Sequence, residues 1–65
     1  MTEFAKNIKI KLIQHGKSNA WLIEEVSKRT GLYFDRSYYS KIARGEIKNE
    51  RIINCIDEIM GELEA

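Results

Sequence analysis

The chain has 65 residues, of which 43% are hydrophobic and 32% are charged, and its formal net charge is only +1. A chain this short forms a single domain, 1–65, and it buries too little surface to build the deep cleft of a typical enzyme. The composition therefore favours a small binding module and argues against an enzyme.

Cysteine, histidine and hydropathy argue against further classes of protein. The single Cys55 cannot form an internal disulfide, and together with the single His15 it cannot complete a four-ligand zinc site. No apolar run approaches the roughly 20 residues that cross a bilayer, and the lysine-rich start does not resemble a secretory signal. We expect a cytoplasmic protein without a metal, a cofactor or an evident small-molecule ligand.

The charges are distributed unevenly along the chain. Residues 1–48 hold ten Lys and Arg against five Asp and Glu, whereas residues 49–65 hold one Arg against five acids. A basic region of this kind favours a polyanionic partner, with the acidic end facing away from it. The alternative is that the asymmetry is incidental, since small helical proteins often have lopsided charge.

Three glycines divide the chain into helical segments. Gly16, Gly31 and Gly45 each follow a stretch of helical periodicity, where glycine ends a helix by adopting a left-handed conformation. Proline is absent, and no strand alternation of useful length occurs. The pattern predicts a compact all-α domain of four helices, at about 2–15, 19–30, 36–44 and 49–63.

The first two predicted helices supply much of the core. In the first, one apolar face is made by Phe4, Ala5, Ile8 and Leu12, and two residues outside it, Ile10 and Ile13, are candidates for contacts with other helices. In the second, Ser18 is the expected N-cap, and the core face holds Leu22, Ile23 and Val26. Trp21 lies off that face. It packs over a neighbouring helix or belongs to a contact surface, and its size favours packing.

The third predicted helix is amphipathic in an unusual way. Asp35 is its expected N-cap, and Tyr38, Tyr39 and Ile42 share the side that we expect in the core. The opposite arc, about 140° wide, has no acid and consists of Arg36, Ser37, Ser40, Lys41 and Arg44. This arc is either a solvated helix face or a surface that contacts a polyanion.

The fourth predicted helix has the clearest apolar stripe. Asn49 is the expected N-cap, and the stripe consists of Ile52, Ile53, Ile56, Ile59, Met60 and Leu63. A stripe this rich can exceed what a small core covers. Its end, at Ile59, Met60 and Leu63, is therefore our candidate for a subunit contact.

Two stretches, "SNAWLIEEV" and "DRSYYSKIARGE", carry a resemblance to a known family. Their caps, apolar positions and terminal glycine, at Ser18, Leu22, Asp35, Ile42 and Gly45, have the spacing of two successive helices in that family. The chain resembles the Cro/repressor-type (XRE-like) helix-turn-helix DNA-binding proteins of phages, prophages and mobile elements, over about residues 5–60. It departs from them in a lengthened turn, "GLYF", and in having Ala43 where the family often has Glu.

The resemblance implies a lambda-repressor-like fold and a sequence-specific transcriptional regulator that binds double-stranded DNA, with helix 36–44 in the major groove. The implied base-reading residues are Arg36, Ser37, Ser40 and Lys41. The implied phosphate-binding residues are Lys17, Ser18, Asn19, Arg44 and Lys48. A homodimer on DNA is expected, because one reading helix contacts only a few base pairs.

Two tyrosines and two other functions remain open at this level. Tyr33 and Tyr38 belong either to the core or to the DNA contact, and we favour burial, partial in the case of Tyr33. The same scaffold could serve as a protein-interaction module such as an antirepressor, or as an excisionase-like accessory DNA-binding factor. Salt dependence distinguishes the first alternative, because phosphate binding weakens steeply as the salt concentration rises.

Overall fold

The fold is described from a computed structural model that covers residues 2–64. It consists of four helices: α1 (Glu3–Gln14), α2 (Asn19–Thr30), α3 (Arg36–Ala43) and α4 (Glu50–Glu64). The predicted all-α class and the four-helix order are confirmed, with each boundary within one residue of the prediction. None of the helices in this part of the chain is long and apolar enough to cross a membrane.

Side-chain caps start the helices where the sequence predicts them. Ser18 Oγ accepts a hydrogen bond from the Trp21 N–H at 3.1 Å, and Asn49 Oδ1 accepts one from the Ile52 N–H at 3.3 Å. Thr2 caps α1 in the same way. Gly16, Gly31 and Gly45 have φ values of 67°, 68° and 80°, so all three adopt the left-handed conformation that ends a helix.

One core joins all four helices. Leu22 and Val26 of α2 face Ile52, Ile56 and Ile59 of α4. Further apolar residues close the sides of the core: Ile8 and Leu12 from α1, Ile42 from α3, and Phe34 from the segment between α2 and α3. The free Cys55 lies at the edge of this core, and burial raises the pKa of its thiol. Trp21 packs against the same cluster, in agreement with the favoured interpretation.

The end of α4 corrects the predicted subunit contact. Ile59 and Met60 are only 1% and 5% exposed, and Leu63 is half-buried against the same cluster. Ile59 and Met60 fill the core because α4 packs against both α1 and α2, so these two side chains are not available to a second subunit. The prediction that they form the dimer contact is wrong for Ile59 and Met60.

The structure also corrects the prediction that Ile10 and Ile13 of α1 contact other helices. Ile10 and Ile13 are 46% and 69% exposed, so they do not meet other helices of the domain. The core stripe of α1 is made by Ala5, Ile8 and Leu12, and both isoleucines lie on the outer side of the helix.

Candidate nucleic-acid interface

The polar arc of α3 lies on the surface of the domain. All of its members are exposed: Arg36, Ser37, Ser40, Lys41 and Arg44. The opposite side holds the helix to the body, because Ile42 is buried and both Tyr38 and Tyr39 pack against the core. We call the five exposed residues the α3 face.

The two tyrosines of α3 fix its position against two other helices. The Tyr38 hydroxyl accepts a hydrogen bond from Asn49 Nδ2 at 3.1 Å, at the start of α4. The Tyr39 hydroxyl donates to Asn19 Oδ1 at 3.3 Å, at the start of α2. Burial raises the pKa of Tyr39. Tyr38 is therefore a packing residue whose hydroxyl is already engaged.

The lengthened turn between α2 and α3 comprises residues 31–35 and is anchored in the core. Phe34 is buried, and its ring meets Tyr38 and Tyr39 edge-on at centroid distances of 5.6 and 6.1 Å. Its carbonyl oxygen accepts a hydrogen bond from Ser27 Oγ at 3.1 Å. The turn therefore holds α3 through an aromatic cluster in addition to its backbone.

Asp35 caps α3 and binds the neighbouring tyrosine. Its carboxylate accepts hydrogen bonds from the Tyr33 hydroxyl at 2.6 Å and from the Tyr38 N–H at 2.8 Å. These two donors lower the pKa of Asp35, the Tyr33 hydroxyl contributing most.

The structure corrects the prediction that Tyr33 is partly buried. The side chain is 78% exposed, so it is not partly buried beside Phe34. The cause is the path of the turn, which directs Phe34 into the core and leaves the Tyr33 hydroxyl to bind the Asp35 carboxylate. Because this carboxylate favours the protonated hydroxyl, the pKa of Tyr33 is raised.

The cations fall into two groups by their partners. Lys11, Lys28, Arg29 and Arg44 have a carboxylate within 4.0 Å. Within residues 2–64, no such partner lies beside the other seven cations: Lys6, Lys9, Lys17, Arg36, Lys41, Lys48 and Arg51. On the α3 face, Arg36 in the first turn and Lys41 in the last turn therefore carry positive charge that no carboxylate of the described residues pairs with.

Arg44 differs from the other residues of the α3 face, because its guanidinium binds the Glu46 carboxylate. Both side chains are more than half exposed. An exposed pair of this kind contributes little to stability, so a phosphate could replace the carboxylate as the partner of Arg44. The loop after α3 also exposes Lys48 on the way to Asn49.

The start of α2 only partly assembles the predicted phosphate site. Ser18 and Asn19 line an open cleft of about 570 Å³ together with Arg36, so these three residues are brought together. Lys17 is held elsewhere, since its ammonium nitrogen lies 5.0 Å from the centroid of the Trp21 ring. Trp21 and Asn19 are about 200° apart around the helix, so Lys17 points away from the cleft.

A residue that the sequence interpretation did not include lies beside the α3 face. Lys9 of α1 is exposed and lines a second cleft, of about 200 Å³, together with Asn19, Arg36 and Ser40. The sequence shows only that Lys9 is off the apolar stripe of α1. Its place beside α3 depends on how the two helices pack, and no local pattern encodes that.

No protein-family model, curated protein or solved structure matches this chain. The geometry of the site is therefore the basis for its chemistry.

In residues 2–64, no group of three or more His, Cys, Asp or Glu side chains is placed to hold a metal ion. The arrangement offers exposed cations and hydroxyls on a rigid helix, which are groups that bind phosphate oxygens and base edges.

Proposed function

We propose that the chain is a sequence-specific regulator of transcription that binds double-stranded DNA, with α3 in the major groove. The observation that carries the proposal is the α3 face, an exposed and acid-free surface on a helix whose other side is fixed in the core. A major groove about 12 Å wide admits one α-helix, whose N-terminal residues then meet the base edges.

The residues of the α3 face take different roles in this proposal. Arg36 and Lys41 donate to guanine O6 and N7, while Ser37 and Ser40 donate to or accept from several bases. Ser18, Asn19, Arg44 and Lys48 bind phosphates on either side. The regulator acts as a homodimer on DNA, with two α3 helices in successive major grooves.

The test is a titration of selected and random duplexes at two salt concentrations, with the wild type, Arg36→Ala and Arg44→Ala. We expect Arg36→Ala to reduce the preference for the selected duplex, and Arg44→Ala to weaken all duplexes alike. Lys28→Ala is the matched control, because it removes one cation from α2 beside Glu25, outside both clefts. If no duplex binds, or if neither arginine variant differs from the control, the proposal is wrong.

A protein-interaction module is the second candidate, and the observation that favours it is the exposed pair Ile10 and Ile13 on α1. An apolar interface made by these residues would bind its partner with little dependence on salt, unlike a phosphate contact. Replacement of both isoleucines by Ser should then abolish partner binding without changing the affinity for any duplex.

A further inference from the structure

The packing of α1 beside α3 places a third helix next to the proposed DNA surface. The Thr2 hydroxyl accepts a hydrogen bond from the Ala5 N–H at 3.1 Å and donates one to the Ala43 carbonyl oxygen at 2.6 Å. This hydroxyl therefore joins the start of α1 to the end of α3. Lys9 lies one turn beyond Ala5 on the same side of α1, and both residues line the cleft with Ser40.

The charges around this cleft are all of one sign. Lys9 and Arg36 both line it, and no acidic residue does. Neither cation has a carboxylate within 4.0 Å among residues 2–64; four of the other nine cations of the domain have one. Two neighbouring cations without a counter-charge raise each other's electrostatic energy, and an anion bound between them would remove that cost.

Neutral donors complete the lining. The Tyr39 hydroxyl donates to Asn19 Oδ1 at 3.3 Å, which orients the amide and leaves Nδ2 without an acceptor in the part of the chain that is described. The Ser40 hydroxyl is exposed at the same cleft. The Lys9 ammonium and the Asn19 amide are donors that suit the acceptor oxygens of a phosphate group, and the charge of Arg36 adds to the attraction for an anion.

We propose that this cleft binds one phosphodiester group of a DNA strand through Lys9 and the Asn19 amide, while Arg36 and Ser40, which also line it, reach the neighbouring base edges. Lys9 is then a DNA contact supplied by α1, outside the pair α2 and α3 that carries the proposed recognition. The choice of DNA phosphate as the ligand rests on the proposed function. The presence of an anion-binding cleft rests on charge and geometry alone.

The experiment measures duplex affinity at four salt concentrations for the wild type, Lys9→Ala, Lys9→Arg and the control Lys28→Ala. For Lys9→Ala we expect the slope of log K against log salt to decrease in magnitude by about 0.9, and the affinity near 0.15 M salt to fall roughly three- to tenfold. Lys9→Arg should keep the slope, because it keeps the charge, and Lys28→Ala should match the wild type.

Three outcomes overturn the proposal, and they can be told apart. If Arg36→Ala weakens binding but Lys9→Ala behaves like Lys28→Ala, the role of Lys9 is wrong while the proposed function stands. If the wild type binds no duplex, the proposed function fails and the DNA role of Lys9 fails with it.

The third outcome concerns free phosphate. Inorganic phosphate is titrated into the wild type and Lys9→Ala while the amide resonances of Asn19 and Ser40 are followed by NMR. Saturable shifts that require Lys9, combined with duplex binding that does not, would assign the cleft to free phosphate instead of DNA. Thermal unfolding of each variant shows whether it is folded, and the exposure of Lys9 leads us to expect no change.

Discussion

Arg29 and Arg36 show two uses of the same side chain in one small domain. Arg29 of α2 makes two hydrogen bonds of 2.7 Å to Glu62 of α4 and also lies near Glu25 and Glu58. We call these four residues the α2–α4 clasp. Arg36 of α3 has no carboxylate within 4.0 Å in residues 2–64. One arginine joins two helices, and the other presents its charge to solvent.

The different surroundings of Arg29 and Arg36 explain how a chain with a net charge of +1 is compatible with a polyanionic partner. Acids pair with one cation of α1 and with both cations of α2: Lys11 binds Glu64, Lys28 lies beside Glu25, and Arg29 belongs to the clasp. In residues 2–64, Lys9, Arg36 and Lys41 have no carboxylate within 4.0 Å, and Arg44 is the one cation of the α3 face that has such a partner, Glu46. The distribution of charge in space therefore matters more for binding than its sum.

The largest expected effect comes from a cavity in the hydrophobic core, which supports both the α2–α4 clasp and the α3 face. Ile56 is fully buried between α2 and the rest of the core, and Ile56→Ala should cost about 2–5 kcal/mol through lost burial and a cavity. The Tm should fall by more than about 10 °C, and duplex binding should be lost together with the fold. Ile56→Val is the matched control and should cost only about 1 kcal/mol. Calorimetry measures the Tm and the unfolding free energy of the two variants.

The next largest effects should distinguish Arg36, which we expect to act in binding, from Arg29, which we expect to act in stability. Arg36→Ala should weaken the best duplex about 10- to 100-fold and leave the Tm nearly unchanged, because it removes the proposed base contact and no internal partner. Arg29→Ala should lower the Tm by a few degrees and leave duplex affinity unchanged, because the clasp is partly exposed and lies on another face. If the two variants changed the duplex affinity equally, or lowered the Tm equally, the assignment of Arg36 to binding and of Arg29 to stability would be wrong.

A smaller effect should follow from releasing Arg44. Glu46→Gln removes the carboxylate that binds its guanidinium, so we expect every duplex to bind about two- to fivefold more tightly, with a steeper dependence on salt. The control is Glu58→Gln, which removes one acid from the α2–α4 clasp. If Glu58→Gln strengthens binding as much as Glu46→Gln does, the effect is one of net charge and not of Arg44.

The smallest effect is the acid dependence of the α3 cap. The pKa of Asp35 is lower in the folded protein than in the unfolded chain, so its contribution to stability is complete above the unfolded value, about 4, and is lost as the pH falls through the folded value. Asp35→Asn keeps a capping oxygen without this titration. The Tm of the variant should therefore fall less steeply than that of the wild type below about pH 4.

The pKa values of Glu62 and Glu64 are also lowered, so wild type and variant share a background of acid destabilisation. Tyr33→Phe removes the main donor to Asp35 and should bring the acid transition of the cap to higher pH. If the slopes of wild type and Asp35→Asn coincide down to pH 2, the cap carboxylate does not act in this way.

Local signals in the sequence were sufficient to predict the helices. Caps at Ser18, Asp35 and Asn49 and left-handed glycines at the helix ends depend on neighbouring residues only, and these predictions are confirmed. The separation of α3 into an apolar and a polar side is likewise a matter of helical period. It correctly predicted that the aromatic residues Tyr38 and Tyr39 pack on the core while the basic residues face outward.

Predictions that depended on how helices pack were less successful. Helical period groups Ile59 and Met60 with the apolar stripe, but only the packing of α1 and α2 on α4 determines that the core covers both. Sequence proximity groups Lys17 with Asn19, whereas the Trp21 ring holds Lys17 on another side of α2. Lys9 is distant in sequence from α3, and the fold brings it alongside.

Phe34 gives the proposed regulator a means of changing its target without changing any residue of the α3 face. Its buried ring packs edge-on against Tyr38 and Tyr39, so we expect its size and shape to influence the angle between α3 and the body. Phe34→Leu would alter that angle while retaining an apolar side chain in the core, at a modest cost in stability. Selection of duplexes by the two proteins would then yield different preferred sequences from identical contact residues. In such a domain, divergence of specificity could begin in the hydrophobic core.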